Sequence, residues 1–217
     1  MYKTVVFDLD GTLLNTLTDL ANAGNRLCRK YGWPTHERQA YRYFVGNGIP
    51  KLVERLAPAD QRTPAVLEAA LADFKRDYGQ HLRDTTAPYP GIPEMLAKLK
   101  ANGVQLAVFS NKADALAKEV VEDYFGTQYF TIVRGQMTGV APKPAAEGTN
   151  ALLQALHADP ASTLYVGDSN VDVETAHNAN LPCCGAVWGF RTREELNAAG
   201  AEYLAENSDE LYDVIMK

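Results

Sequence analysis

The sequence has little of what indicates a disulfide framework, a zinc site or a membrane segment. Its three cysteines are one isolated residue, Cys28, and the adjacent pair Cys183 and Cys184, which are too few for a disulfide scaffold. Its four histidines lack zinc-ligand spacing. No apolar run is long enough for a signal peptide or a bilayer span. We therefore expect a cytoplasmic protein with no membrane partner.

Positive charge is also scarce. Lys and Arg total 21 against 27 Asp and Glu, which gives a formal net charge of −6 at pH 7. Because a nucleic-acid surface needs a basic stripe, this balance argues against a nucleic-acid partner. The remaining composition, 46% hydrophobic and 22% charged, is that of an ordinary globular protein, and 217 residues suit one core with a smaller insertion.

The N-terminal pattern changes from strand to helix. The β-branched and aromatic residues at 3–7 predict a strand that ends in a Gly-containing loop. Thr16 and Asp19 then fit a capping box before an apolar run of helical spacing. We expect this helix to end near Gly32.

The rest of the chain falls into a helical stretch and an alternating stretch. Helical patterns follow Thr35, Pro50 and Ala65, and no strand pattern interrupts them before about residue 86. Beyond a breaker at 87–91, strand patterns alternate with helices, which predicts βαβ units and a parallel sheet. The predicted strands are Val104 to Phe109, Phe130 to Val133, Thr163 to Val166 and Cys184 to Trp188.

These patterns predict an α/β fold with two domains. The first is a Rossmann-like, doubly wound parallel sheet core over residues 1–15 and 87–217, and the second is an all-helical cap inserted over residues 16–86. Open α/β sheets place their ligand sites at the carboxyl ends of strands. Four segments stand at such ends or in loops: Asp-Leu-Asp-Gly-Thr at 8–12, Ser-Asn-Lys at 110–112, Pro-Lys-Pro at 142–144 and Gly-Asp-Ser-Asn-Val-Asp at 167–172.

Four aspartates carry most of the chemistry. Strand alternation directs Asp8 and Asp10 to the same side, where one can attack as a nucleophile and the other can move a proton. Asp168 and Asp172 lie four apart at a predicted helix start and repel each other. If all four converge they need a cation, and an all-oxygen ligand set suits Mg²⁺. The alternative for each acid is a role in helix capping.

Two further residues are candidates for binding an anion. Lys143 lies between two prolines, so we expect its side chain to project from a stiffened loop and to meet a phosphate. Taken alone, a Lys in such a loop is far more often a solvated surface charge. Ser110 follows a predicted strand, where a Ser is usually a helix cap.

The set of motifs and their order are more specific than any single one. Together they resemble the phosphatases of the haloacid dehalogenase superfamily, and the resemblance covers the whole chain. It implies phosphomonoester hydrolysis, with Asp8 as the nucleophile and Asp10 as the general acid and base. The substrate-binding residues that it implies in these motifs are Thr12, Ser110, Asn111 and Lys143.

The resemblance also implies a cofactor and a partner. Mg²⁺ would bind the Asp8 carboxylate, the Asp10 backbone carbonyl and Asp168. Asp172 would not bind the metal directly but would orient Lys143 or a metal-bound water. The implied partner is a small phosphorylated metabolite, and we expect a monomer or a homodimer.

A turn in the predicted cap suggests which metabolite this is. The Gly-Asn-Gly sequence at 46–48, followed by a helix from Pro50, looks like the cap loop of phosphoglycolate phosphatases. Gly48 is a binding candidate because glycines let the backbone approach a small ligand closely. Lys51 falls in the first helical turn, where the helix dipole disfavours a cation and an anionic ligand could offset the penalty. The hypothesis is 2-phosphoglycolate, with Lys51 or Arg42 at its carboxylate.

Other activities stay open at this point. Nucleotide, pyrophosphate and sugar phosphate hydrolases of the superfamily share the four motifs, as do phosphosugar mutases. A receiver-type signalling domain also combines a phospho-accepting Asp with further acids and a Lys, but in a different order and without an inserted helical cap. Dehalogenases of the superfamily lack the second acid, which is present here as Asp10.

Overall fold

The computed structural model describes all 217 residues of the chain. They divide into two compact units, the first made of Met1–Asn15 and Pro88–Lys217 and the second of Thr16–Ala87. The assignment of a catalytic role to the first unit and of a cap role to the second stays a prediction. No helix in the chain is both long enough and apolar enough to cross a membrane.

Eight strands form two sheets. In chain order they are β1 (Thr4–Phe7), β2 (Leu14–Asn15), β3 (Ala87–Pro88), β4 (Gln105–Ala113), β5 (Phe130–Gln136), β6 (Thr163–Gly167), β7 (Cys183–Ala186) and β8 (Tyr203–Ala205). Six of them form a parallel sheet in the order β5-β4-β1-β6-β7-β8, and β2 and β3 form a two-stranded sheet. The predicted α/β class with a parallel sheet is therefore confirmed.

Ten α-helices accompany the sheets, four in the second unit and six in the first. Those of the second unit are α1 (Leu17–Tyr31), α2 (Tyr41–Phe44), α3 (Ile49–Leu56) and α4 (Pro64–Gln80). Those of the first unit are α5 (Ile92–Ala101), α6 (Asp114–Phe125), α7 (Ala146–Leu156), α8 (Asn170–Asn178), α9 (Arg193–Ala198) and α10 (Ser208–Met216).

Strand β1 lies in the middle of the large sheet. It pairs with β4 on one side and with β6 on the other, and all four of its residues are buried. Full burial explains why β1 is a continuous run rather than an alternating one, since parallel strands are covered by helices on both faces. The carboxyl ends of β1, β4 and β6 therefore lie side by side, and this edge carries the candidate site.

Some strand boundaries differ from those predicted. Strand β4 continues past Phe109 to Ala113, because an irregularity in register lets it pair again with β5 at Gln136. The Ser-Asn-Lys segment at 110–112 therefore lies on a strand and not in a loop. The edge strand β8 was not predicted, since three residues are too few to show an alternating pattern.

Aromatic side chains form part of the buried core of the second unit. Tyr41, Phe74 and Tyr78 are among its fully buried side chains, and Phe74 and Tyr78 pack with their ring centroids 5.6 Å apart. The Tyr41 hydroxyl donates to Asn25 Oδ1 at 3.0 Å. A Cβ at Gly24 would overlap the Tyr41 ring, which explains a glycine within α1.

The capping box expected at Thr16 and Asp19 is wrong. The N-cap residue Thr16 makes no side-chain capping bond. The buried Asp19 carboxylate instead accepts the backbone N–H and hydroxyl of Thr85, at 2.9 and 2.6 Å, and those of Thr86, at 2.8 and 2.7 Å. Asp19 therefore accepts from donors at the far end of the unit and not from the backbone of its own N-cap. This contact joins the two ends of the segment.

The Asp19 tie depends on pH. Burial raises the pKa of Asp19, but the hydrogen bonds from Thr85 and Thr86 outweigh burial and hold the pKa below its usual value. An acid whose pKa is lowered on folding contributes stability above its unfolded pKa of about 3.9, and that stability is lost as the pH falls through the folded pKa.

We predict that Asp19→Asn lowers the free energy of unfolding by about 2 kcal/mol at pH 7, because the amide N–H₂ faces donors and leaves buried groups unpaired. The loss relative to wild type should shrink as the pH is lowered below about 4. Urea denaturation at several pH values measures this. The exposed Asp60→Asn is the matched control, and a loss that is the same at every pH would contradict the prediction.

Candidate active site

Buried charged residues concentrate where β1, β4 and β6 end. Asp8 directly follows β1, Asp168 directly follows β6, and Asp172 lies in the first turn of α8. All three are buried, and one carboxylate oxygen from each lies within 4.8 Å of those of the other two. The structure therefore brings together three of the four aspartates around one point.

The ammonium of Lys143 lies inside this cluster. Its Nζ is 2.9 Å from Asp8 Oδ1 and 2.7 Å from Asp172 Oδ1, and the side chain is only 1% exposed. It also donates to the Tyr165 hydroxyl at 3.2 Å. The proline context predicts a side chain that projects from a loop, but Lys143 points into the protein and contacts two acids.

Asp168 is fixed by its neighbours. Its Oδ1 accepts the Thr12 hydroxyl at 3.0 Å and its Oδ2 accepts the Phe190 N–H at 2.7 Å. Gly11, with φ +91°, and Gly189 leave room for it, since a Cβ at either position would overlap Asp168. The first and fourth motifs are thus in direct contact, and Thr12 has a structural contact besides its expected role towards substrate.

Asp172 holds Lys143 and caps a helix at the same time. Its Oδ2 accepts the N–H and the hydroxyl of Ser169 at 3.1 and 2.7 Å, which completes a capping box at the start of α8. Its Oδ1 accepts from Lys143. From the sequence, helix capping and metal binding are alternatives for this acid; in the structure one of its oxygens caps α8 and the other accepts from Lys143.

The backbone around Lys143 is held by the second motif. The Asn111 side chain accepts the Lys143 N–H at 2.8 Å and donates to the Lys143 carbonyl at 3.2 Å. Ser110 is buried, and its hydroxyl accepts the Lys112 N–H at 3.3 Å. Asn111 therefore positions Lys143, while Ser110 lies within β4, two residues beyond the last residue that pairs with β1.

Asp10 pairs with a residue for which no role was predicted. Lys112 Nζ lies 3.1 Å from Asp10 Oδ1 and 3.3 Å from Oδ2. No local pattern distinguishes Lys112, because its position depends on the continuation of β4 through an irregularity in register. Tyr165, the hydroxyl partner of Lys143, had no signal, since a Tyr within a buried strand has the pattern of a core residue.

The remaining candidates belong to the second unit. Arg42 lies in α2, and Gly48, with φ +82°, is the N-cap of α3. Lys51 Nζ contacts both carboxylate oxygens of Glu54, at 2.9 and 2.8 Å. Glu54 therefore already offsets the charge that Lys51 brings to the first turn of α3.

The electrostatics of the cluster favour a cation. Burial, with repulsion from Asp172, raises the pKa of Asp8 to about 7 against the attraction of Lys143. Burial and the other two acids raise the pKa of Asp168 well above its usual value. Burial lowers the pKa of Lys143, but Asp172 and Asp8 outweigh it and raise that pKa. With every group ionised, three carboxylates and one ammonium leave a charge of −2.

The donor set fits a hard divalent ion. Every donor in the cluster is a carboxylate oxygen, as Mg²⁺ and Ca²⁺ prefer. Asp8 Oδ1 is buried and has the Lys143 ammonium, 2.9 Å away, as its charged partner. Both oxygens of Asp168 and both oxygens of Asp172 already accept hydrogen bonds, and Asp172 differs in that one of its donors is the Lys143 ammonium.

Comparison with known proteins agrees with this geometry. Residues 5–186 match the model of the family described as haloacid dehalogenase-like hydrolase. The chain is 32% identical over 216 residues to a phosphoglycolate phosphatase of Chromobacterium violaceum, covering 98% of this chain and 96% of that protein. It is 32% identical over 203 residues to the protein of the same name from Pseudomonas putida, covering 90% and 73%.

Solved structures show the same fold. A protein of Lactobacillus delbrueckii subsp. bulgaricus, provisionally named a phosphoglycolate phosphatase, is similar with a TM-score of 0.93 and 28% identity, covering 99% of this chain and 98% of that one. CbbY from Rhodobacter sphaeroides, in complex with xylulose-(1,5)bisphosphate, has a TM-score of 0.82 at 22% identity, covering 97% and 96%. At that identity the likeness concerns the fold alone.

We predict that a divalent cation stabilises the protein through this cluster. At an ion concentration about 100 times the Kd, binding to the folded state adds about 2.7 kcal/mol, which for a chain of this size raises Tm by about 5–10 °C. Thermal melts after chelation and on titration with MgCl₂ or CaCl₂ measure it. Asp168→Asn should lose the rise and the exposed Asp213→Asn should keep it; an equal rise in both variants would place the ion elsewhere.

Proposed function

This chain belongs to the haloacid dehalogenase-like hydrolase family and is a phosphatase, and we propose that it hydrolyses 2-phosphoglycolate with Mg²⁺ through a phosphoenzyme at Asp8. The observation that carries the mechanism is the buried set of Asp8, Asp168 and Asp172 around Lys143. The substrate is supported by the relatives of that name and by the Gly-Asn-Gly turn at 46–48.

Mg²⁺ is the proposed ion because every ligand atom that the cluster offers is an oxygen and the ionised cluster has a net charge of −2. The Asp8 and Asp168 carboxylates and the Asp10 backbone carbonyl would hold it. When bound, Mg²⁺ supplies positive charge that neutralises the oxygens of the transferring phosphoryl group. Asp172 stays behind these ligands and orients Lys143, with which it forms a hydrogen bond of 2.7 Å.

In the first step, a carboxylate oxygen of Asp8 attacks the phosphorus of the ester. A bond forms between this oxygen and phosphorus while the bond from phosphorus to the glycolate oxygen breaks. The departing oxygen takes a proton from Asp10, so that glycolate leaves as a hydroxy acid. Lys143 lies 2.9 Å from Asp8 Oδ1, where its ammonium can neutralise a phosphoryl oxygen as charge develops.

In the second step, water attacks the phosphorus of the phosphoaspartate. Asp10 accepts a proton from this water, the bond between Asp8 and phosphorus breaks, and inorganic phosphate leaves. The Ser110 hydroxyl and the backbone N–H groups of Leu9 and Asp10 hydrogen-bond the phosphoryl oxygens in both steps. Both acids end the cycle in the state in which they began it.

The turn at 46–48 supports a small anionic leaving group. Gly46 and Gly48 both have positive φ, at +109° and +82°, which bulkier residues rarely adopt. Arg55 braces the turn, since its guanidinium donates to the Phe44 carbonyl at 2.8 Å and to Asn47 Oδ1 at 2.9 Å. We propose that this braced turn meets glycolate and that Arg42 or Lys51 binds its carboxylate.

We predict that Asp8→Asn lowers kcat by about 1,000-fold or more, because an amide cannot form the phosphoenzyme. Acid quench of the wild type during turnover should trap one phosphoryl group on the peptide that contains Asp8, and hydroxylamine should remove it. The trapped group should be missing from Asp8→Asn. Near-normal turnover by this variant, with deamidation excluded by mass spectrometry, would disprove the assignment.

We predict that 2-phosphoglycolate has the highest kcat/KM, by about 10-fold, in a panel with a nucleoside monophosphate, glucose phosphate and pyrophosphate. Arg42→Ala or Lys51→Ala should raise KM for phosphoglycolate by about 10-fold or more, the effect of one lost charged hydrogen bond. Neither should change KM for p-nitrophenyl phosphate, which has no carboxylate. The control is the exposed Lys75→Ala.

The two halves of this proposal can fail separately. If another phosphate ester is the best substrate, the interpretation of the 46–48 turn is wrong and the chemistry of Asp8 stands. If phosphoglycolate is best but neither substitution affects it selectively, backbone N–H groups of the turn bind the carboxylate instead.

A further inference from the structure

Lys112 is the second buried ammonium of the first unit. Its side chain is 2% exposed, and its Nζ contacts both carboxylate oxygens of Asp10. A buried lysine is rare and needs a counter-charge. Each of the two proposed catalytic acids contacts one buried lysine: Asp8 contacts Lys143, and Asp10 contacts Lys112.

The fold fixes the position of Lys112 from the backbone outward. It is part of the extended end of β4, two residues after Ser110, and its N–H donates to the Ser110 hydroxyl at 3.3 Å. Its carbonyl oxygen packs against Gly135 of β5, where a Cβ would overlap it. The backbone at Lys112 therefore packs closely against the neighbouring strand.

Contact with both oxygens of Asp10 has a geometric consequence. A carboxylate held through one oxygen can still rotate about its Cβ–Cγ bond, whereas a single ammonium placed between both oxygens opposes that rotation. Asp10 itself is 15% exposed, so its carboxylate reaches the surface of the site while its partner stays inside. Lys112 therefore supports Asp10 from the side away from solvent.

We propose that Lys112 is a positioning residue for proton transfer, which holds the Asp10 carboxylate at the place where the leaving oxygen departs. This inference rests on the proposed role of Asp10 as general acid and base. A misplaced acid slows the departure of a poor leaving group, which needs a proton, far more than that of an activated phenolate, which does not.

The test compares Lys112→Met, which keeps the length of the side chain and removes its charge, with the wild type on two substrates. One is p-nitrophenyl phosphate, and the other is whichever alkyl phosphate the enzyme hydrolyses best. We expect kcat to fall about 100-fold for the alkyl phosphate and less than about 10-fold for the aryl phosphate. Lys118→Met is the matched control, because this exposed lysine pairs with Asp114 on α6, and it should change neither rate.

A double-mutant cycle separates positioning from a general effect on structure. If Lys112 acts through Asp10, the double variant Asp10→Asn/Lys112→Met should be no slower than Asp10→Asn alone on the alkyl phosphate. Thermal melts of each variant report folding. Lys112→Gln, which keeps a neutral hydrogen-bond donor, is the second variant and should show a smaller contrast between substrates than Lys112→Met.

Two results would overturn the proposal. If Asp10→Asn shows the contrast between substrates but Lys112→Met slows both equally and adds to Asp10→Asn, Lys112 has no positioning part and Asp10 keeps its role. If Asp10→Asn itself shows no contrast, the proposed role of Asp10 is wrong and the role of Lys112 is wrong with it.

Discussion

The ion pairs of Lys143 with Asp8 and Asp172 are the constraint on which the rest of the site depends. A carboxylate without a partner costs several kcal/mol when it is buried, and this cluster contains three carboxylates around one ammonium. Lys143 therefore neutralises only part of the negative charge of the cluster. The charge that remains, together with burial, raises the pKa of Asp8 and of Asp168. The remaining negative charge favours a cation at this point.

The four motifs are far apart in the chain but are linked by direct contacts in the structure. The first motif contacts the fourth through Thr12 and Asp168, and the second contacts the third through Asn111 and Lys143. Lys143 then closes the set by contacting Asp8 of the first motif and Asp172 of the fourth. Each motif is held by the others, so the chemistry of any one residue depends on segments more than a hundred positions away.

The sequence was informative wherever a residue's position followed from its own neighbours. The strand before Asp8 and the turn of glycines at 46–48 are of this kind. It was misleading where a long-range partner decided the outcome. The prolines around Lys143 restrict its backbone but say nothing about which acids its side chain meets, and Asp19 had a local capping pattern but accepts from Thr85 and Thr86 instead. Lys112 and Tyr165 have no local pattern to distinguish them, and only the sheet order brings them to the site.

The tie at Asp19 has a consequence for how the chain could have been assembled. Since Thr85 and Thr86 bind the first turn of α1, the segment of residues 16–87 begins and ends at nearly the same point. A segment whose ends already meet adds little closure entropy to its host, whatever its length. Such a segment is an exchangeable cassette. A different helical insert that kept one carboxylate near its start and two threonines near its end would close in the same way, so the insert could be replaced while the sheet stayed unchanged.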